Sequence, residues 1–449
     1  MNLSSIRCAR LPDVKTSNKL ATKLRALAWL LSAAPLAAFC GTQKMLTLAA
    51  AEEYALQADP EVIASQARAE ALDRQAIADG QLPDPKLGLG IYNVPVNDFS
   101  VTREPTTQFR TGIQQAFPRG ETLRYRQKHT EWLSRAETAQ TDMVKREIQR
   151  DLRQTYLELF YQKQAADIVA RNRDLFQSLV EITRAHFSTG RASQQEVLQA
   201  QLELSRLDDR ATRIDGDIDE QQARLTRWLG DAAWQPIDPA FPRLPDLAPL
   251  DKLREALKQH PAIQTASAKV EASQQTVKAA REQYKPGWNV GLEYRKRFDD
   301  DPDGSNRDDM MAAMVTIDLP IFTEKRQDKR LAASLQNTEA AIQLREQRLR
   351  ELRRMLETDY AQWKRLSAQE ALYQQRLVAE ASDSAAAALN AYQSGTSEFN
   401  TLMRARITEL DVKLINLRVR VDRAKAQARL LYLAPGYASA SVPAGGAHP

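Results

Sequence analysis

Proline placement constrains this chain more than any other feature. No proline occurs between Pro118 and Pro236, and none between Pro320 and Pro435. Glycine is nearly as scarce: Gly120, Gly190, Gly216 and Gly230 in the first stretch, Gly395 alone in the second. Proline removes a backbone donor and clashes with the preceding turn, and glycine carries an entropic penalty, so their scarcity leaves helix as the favoured state. Ala, Leu, Gln, Glu and Arg, all good helix formers, fill both stretches. The natural breaks are Ser188–Gly190 and Ser394–Gly395. Long helices are therefore expected over 120–187 and 322–393, followed by shorter ones over 191–227 and 396–433. A helix of roughly 65–70 residues runs about 100 Å, too long for a compact globule. Leu349, Leu352, Leu356, Trp363, Leu366, Tyr373 and Leu377 recur near heptad spacing, which predicts coiled-coil-like packing against neighbours.

The chain also repeats itself. Ala55–Asn93 matches Ala256–Tyr294 at an offset of 201: Leu56 with Leu257, Pro60 with Pro261, Ala67 with Ala268, Pro85 with Pro286, Gly90 with Gly291. Gly112–Pro118 pairs with Met314–Pro320 at 202, and His186–Gln201 with Ala391–Arg406 at 205. The first repeat covers 46–227 and the second 251–433. Residues 228–250, with five prolines, form a connector, and 434–449 a tail.

Strand candidates are few. Alternation at Leu87, Leu89, Ile91 and at Phe109, Ile113, Phe117 marks strands near 85–95 and 107–117. The second repeat supplies Trp288, Val290, Leu292, Tyr294 and Met311, Ala313, Val315, Ile317, predicting strands near 286–297 and 309–319. Each can reach the about 9–11 residues a tilted strand needs to cross a bilayer. Four strands cannot close alone, so a membrane reading requires several chains to share one barrel; three would give 12 strands.

Charge removes other functions. The chain carries 63 Lys+Arg against 58 Asp+Glu, but residues 1–40 hold six of the former and only Asp13 of the latter. The remainder is balanced, and a nucleic-acid role loses its global support. Residues 1–40 read as an export signal: a basic segment ending at Arg25, then an apolar run from Ala26 to Phe39. Cys40, directly after that run, is a candidate for lipidation, although Phe39 and Ala37 depart from the usual lipoprotein pattern. His129, His186, His260 and His448 are scattered, and the Asp299–Asp309 loop lacks calcium-loop spacing. Met310 and Met314 share a strand face, but they read as packing residues; no metal site, cofactor or catalytic constellation is expected.

The LTLAAAEEYALQADPEV segment (Leu46–Val62), the duplicated strand pairs, QQAFPRGETL (Gln114–Leu123) and FSTGRASQQEVLQAQLEL (Phe187–Leu204) together resemble the outer-membrane efflux family. The resemblance covers Leu46 to Leu433. It implies an α+β membrane protein: a homotrimer with a shared 12-stranded transmembrane β-barrel, four strands per chain, continued by a long periplasmic α-helical barrel. It implies outer-membrane lipid, a periplasmic adaptor and, through the adaptor, an inner-membrane transporter as partners. It further implies that Gly190 and Gly395 mark the periplasmic turns and that the helices after them gate the entrance. Glu196 and Gln199 follow the first glycine, but Thr401 and Arg404 the second, where an acidic ring is absent. Arg404 or Arg406 is then expected to meet Glu196. The long leader and the FPRG-like segment favour a duct for metal cations. The alternatives are a duct for drugs or organic compounds and a non-conducting periplasmic coiled-coil scaffold or adaptor.

Overall fold

The computed structural model describes residues Met45–Ala434. The leader with Cys40, and His448 with nearly all of the tail, lie outside the described residues.

Helices α1 (Leu48–Ala58) and α2 (Pro60–Asp79) open the first repeat. Asp59 separates them: its Oδ1 accepts a hydrogen bond from the Glu61 amide at 2.8 Å, and Pro60 fills the first helical position, where no amide donor is needed. Strands β1 (Lys86–Tyr92) and β2 (Gln108–Phe117) follow, then α3 (Thr122–Ser188), 67 residues long, and α4 (Gln194–Leu229). The connector leads through α5 (Leu250–Ala256) into the second repeat. That repeat comprises α6 (Pro261–Glu282), β3 (Gly287–Arg297), β4 (Met310–Asp318), α7 (Gln327–Leu372), α8 (Val378–Gln393) and α9 (Phe399–Leu433). Here the long helix is not uniform: a π-helical turn, Tyr373–Leu377, separates α7 from α8.

Helix α3 is the spine. It packs against α1, α2, α4, α6 and α9. Its buried residues Val144, Ile148, Leu152, Tyr156, Leu159 and Phe160 recur every three or four positions, the spacing of one helix face. Each large side chain so buried contributes roughly 1.5–3 kcal/mol. The Tyr156 hydroxyl, inside this core, donates to the Leu46 carbonyl at 2.7 Å. The connector folds back on the spine, where Phe241 meets Phe160 edge-on with ring centroids 5.4 Å apart. The Leu46 amide donates to the Pro236 carbonyl at 2.8 Å.

The strands pair antiparallel in the order β1-β2-β3-β4, so the two repeats meet at β2 and β3, with Gly112 opposite Glu293. One face is apolar and exposed, carrying Leu87, Leu89, Ile113, Leu292, Met311 and Val315. The other carries Gly88, Gly90, Arg110, Gly112, Glu293 and Arg295. The expectation of a shared 12-stranded transmembrane barrel continued by a helical barrel is corrected here. The described residues contain no transmembrane strand and no closed barrel. They form an open sheet with edges at β1 and β4, and the helices pack as a bundle around α3. Four strands are too few to curl shut, and β1, at seven residues, falls short of the about nine to eleven a tilted spanning strand requires. Among the described residues no helix is long and apolar enough to cross a membrane.

Candidate functional site at the helical hairpin tips

The two hairpins, α3–α4 and α8–α9, end in turns of the same construction. The Gly190 amide donates to the Phe187 carbonyl at 3.0 Å and the Arg191 amide to the His186 carbonyl at 2.8 Å. The Gly395 amide donates to the Tyr392 carbonyl at 3.1 Å and the Thr396 amide to the Ala391 carbonyl at 2.9 Å. These are two Schellman ends related by the repeat. They need glycine because the backbone there is left-handed, φ being 69° at Gly190 and 77° at Gly395. Ser193 then starts α4 by accepting from the Glu196 amide at 3.3 Å. Helix α9 has no side-chain cap at its start.

The tips touch through aromatic rings. Tyr392, from α8, lies 5.8 Å from the His186 ring of α3 and 5.6 Å from Phe399 of α9. Its hydroxyl is buried and has no hydrogen-bond partner among the described residues. Burial, and then the negative charge of Glu196, push its ionisation above the usual tyrosine range. Nothing in this arrangement is reactive chemistry. It is a mechanical junction between two helical hairpins at one end of a bundle.

Residues 53–231 and 253–434 match the family described as outer membrane efflux protein. The chain belongs to that family. An outer membrane efflux protein is a channel of the outer membrane with a large periplasmic helical extension, and it is not an enzyme. No curated protein matches the chain by sequence. Solved structures do match by fold. The outer-membrane channel OprN is 18% identical, with 86% of this chain and 89% of that one covered and a TM-score of 0.69. CusC is 16% identical, with 87% and 92% covered and a TM-score of 0.73. VceC from Vibrio cholerae is 18% identical, with 86% and 95% covered and a TM-score of 0.72. At these identities the likeness concerns the fold.

Within this efflux protein, Glu196 and Gln199 lie half-buried on α4, and Thr401 and Arg404 are exposed on α9. Arg404 has no carboxylate within 4.0 Å among the described residues, whereas Arg406 is paired with Glu409 at 2.9 Å. Glu409 also binds Lys413 at 2.7 Å. Burial raises its pKa, but the hydrogen bonds from Lys413 and Arg406 outweigh that and hold the carboxyl below the ordinary range. So inside one chain Glu196 meets the Tyr392 neighbourhood and not Arg406.

Further along, charged pairs join the two repeats. Glu158 on α3 accepts both guanidinium nitrogens of Arg418 on α9, at 2.8 and 2.9 Å, and also binds Lys425. Burial works against its ionisation, yet Arg418 and Lys425 bring its pKa down to about 2. An open cleft of about 810 Å³ lies beside this pair, walled by Arg206, Arg210, Asp217 and Asp411 from α4 and α9.

Tyr392, Glu409 and Glu158 join the site only in the structure. Tyr392 was findable, because at the offset of 205 it is the counterpart of Phe187. Glu409 follows Arg406 by three and precedes Lys413 by four, which is ion-pair spacing on a helix. Glu158 and Arg418 lie 260 positions apart, and no local pattern joins them.

Proposed function

We propose that this protein is the exit duct of a tripartite efflux system, acting as a homotrimer with a periplasmic adaptor and, through it, an inner-membrane transporter. The observation that carries the assembly is the uneven covering of the two long helices. Helix α3 buries 22 of its residues within the chain, whereas α7 buries five: Gln327, Ser334, Leu352, Leu356 and Asp359. Leu335, Leu344 and Leu372 of α7 stay exposed. A coiled-coil-forming helix covered on one side is completed by a neighbour, and symmetric copies are the usual source. Membrane fractionation with cross-linking tests this. A trimer held in outer membranes is expected, and a soluble periplasmic monomer ends the reading.

The hairpin tips are the gate in this reading. Gly190 and Gly395 fix the turns, and Glu196, Gln199, Thr401, Arg404 and Arg406 line the helices behind them. Arg404, exposed and without an acidic partner among the described residues of its own chain, is the residue free to meet a carboxylate of a neighbour such as Glu196.

For cargo, small organic solutes fit better than metal cations. Met310 on β4 stands opposite Arg295 of β3, which in turn stands opposite Arg110 of β2, and Met314 stands opposite Gly291. Soft-metal binding by these methionines would bring a cation up against guanidinium groups. A deletion strain should lose tolerance of organic toxicants and keep its tolerance of copper and silver; the reverse pattern restores the metal reading.

A further inference from the structure

Where the sheet meets the bundle, the two repeats diverge in a way that points to a ligand. In the first repeat the junction after β2 is tied down. Arg119 donates to the Gln283 carbonyl at 2.8 Å, Arg124 pairs with Glu121 at 2.7 Å, and the Glu121 amide donates to Glu282 at 2.8 Å. In the second repeat the equivalent stretch after β4 is open. Leu319 is 65% exposed, Ile321 70% and Phe322 90%. Directly behind them stand Lys325, Arg326, Lys329 and Arg330, all exposed. None of the four has a carboxylate within 4.0 Å among the described residues. Of the two acids in that stretch, Glu324 is exposed and Asp328 accepts from the Tyr284 hydroxyl at 2.6 Å. That bond sets the start of α7 level with the end of α6, where Lys285 is also exposed.

We infer that this junction is an attachment site for anionic phospholipid: Ile321 and Phe322 enter the acyl layer while Lys325, Arg326, Lys329 and Arg330 bind headgroup phosphates. The inference rests on the outer-membrane reading above and adds a lipid preference to it. A water-exposed phenylalanine next to two exposed aliphatic side chains is unfavourable in water and favourable at a bilayer edge. Flexible basic side chains a turn or two away reach back to the headgroup level, as snorkelling lysines and arginines do. The phosphate supplies the negative charge the fold withholds from these four cations. Neutral lipid satisfies only the apolar half of the site, which is why the preference is for anionic headgroups.

The test uses the purified full-length protein and two kinds of vesicle, phosphatidylcholine alone and a mixture with about a third phosphatidylglycerol. Flotation measures entry into each. The wild type should favour the mixture by about tenfold or more, and high salt should erase that margin. Replacing the four cations together with glutamine should abolish the preference without changing the melting temperature, because all four are exposed and unpaired among the described residues. Phe322→Ser should reduce entry into both vesicle types alike. An undiminished preference in the four-site variant overturns the lipid site. So does a Phe322→Ser variant that changes oligomeric state and leaves vesicle entry intact, since a second copy would then be what covers Phe322. If the wild type enters neither vesicle, the outer-membrane reading itself has failed; equal entry into both sinks only the headgroup preference.

Discussion

The two repeats share an order of elements and differ in what surrounds them. In the first, α3 runs unbroken and is enclosed by helices of its own chain. In the second, α7 and α8 are separated by a π turn and leave much of their surface bare. The helix caps diverge in the same sense. Asp59 and His260 are counterparts at the offset of 201, each preceding a proline at the first helical position. Asp59 caps through Oδ1, and His260 through Nδ1, which accepts from the Ala262 amide at 3.2 Å. Duplication therefore fixed the backbone plan and left the chemistry at matched positions free to change.

The largest expected effect probes the covering of the two long helices. Phe176→Ala on α3 removes a fully enclosed ring and should cost about 3–5 kcal/mol in denaturant unfolding. Leu372→Ala, 45% exposed on α7, should stay within about 0.5 kcal/mol in the dissociated chain. Equal losses would mean that the second repeat is enclosed as fully as the first.

Next comes the histidine cap. His260 is wholly buried, its ring edge-on to Tyr432 at 5.1 Å, and its Nε2 has no hydrogen-bond partner among the described residues. Burial, then the positive charge of Arg146, lower its pKa from 6.5 to about 4. The unfolded chain thus takes up the proton first. The stability tied to neutral His260 is complete above pH 6.5 and drains as pH falls toward about 4, by ~3 kcal/mol in total. His260→Asn keeps a cap and loses the titration, so its stability should be flatter across that window. An unchanged pH slope in the variant assigns the dependence to other groups.

The smallest effect should be shared by both repeats. Neither Gly190 nor Gly395 has an atom that an added Cβ would strike, so alanine at either costs only the left-handed backbone, ~1–2 kcal/mol. A marked inequality between Gly190→Ala and Gly395→Ala would show that the tips are not equivalent.

Much of this was legible in the residues. Missing prolines located α3, α4 and α9, and the glycines located both tips, because backbone constraints are local and leave a local trace. The repeat offsets matched β1 with β3 and β2 with β4, which are not neighbours in the sheet, so the pairing of β2 with β3 was not readable from them. Alternation does not encode barrel closure: at Leu87, Leu89 and Ile91 it reports one apolar face of a strand, and an open sheet edge produces the same pattern. The π turn at Tyr373–Leu377 left no composition signal, since good helix formers also tolerate a single wide turn. Glu158 with Arg418 and Tyr392 with His186 depend on helices crossing in space, which periodicity within one helix does not encode.

Single-channel recording of the purified protein in planar bilayers tests the central claim most directly. An exit duct gated at its hairpin tips predicts discrete conductance steps. Arg404→Glu should raise the resting conductance, and adding Glu196→Arg should partly reverse the change. Bilayers that stay silent with the wild-type protein, while fractionation shows it folded and inserted, would contradict the account.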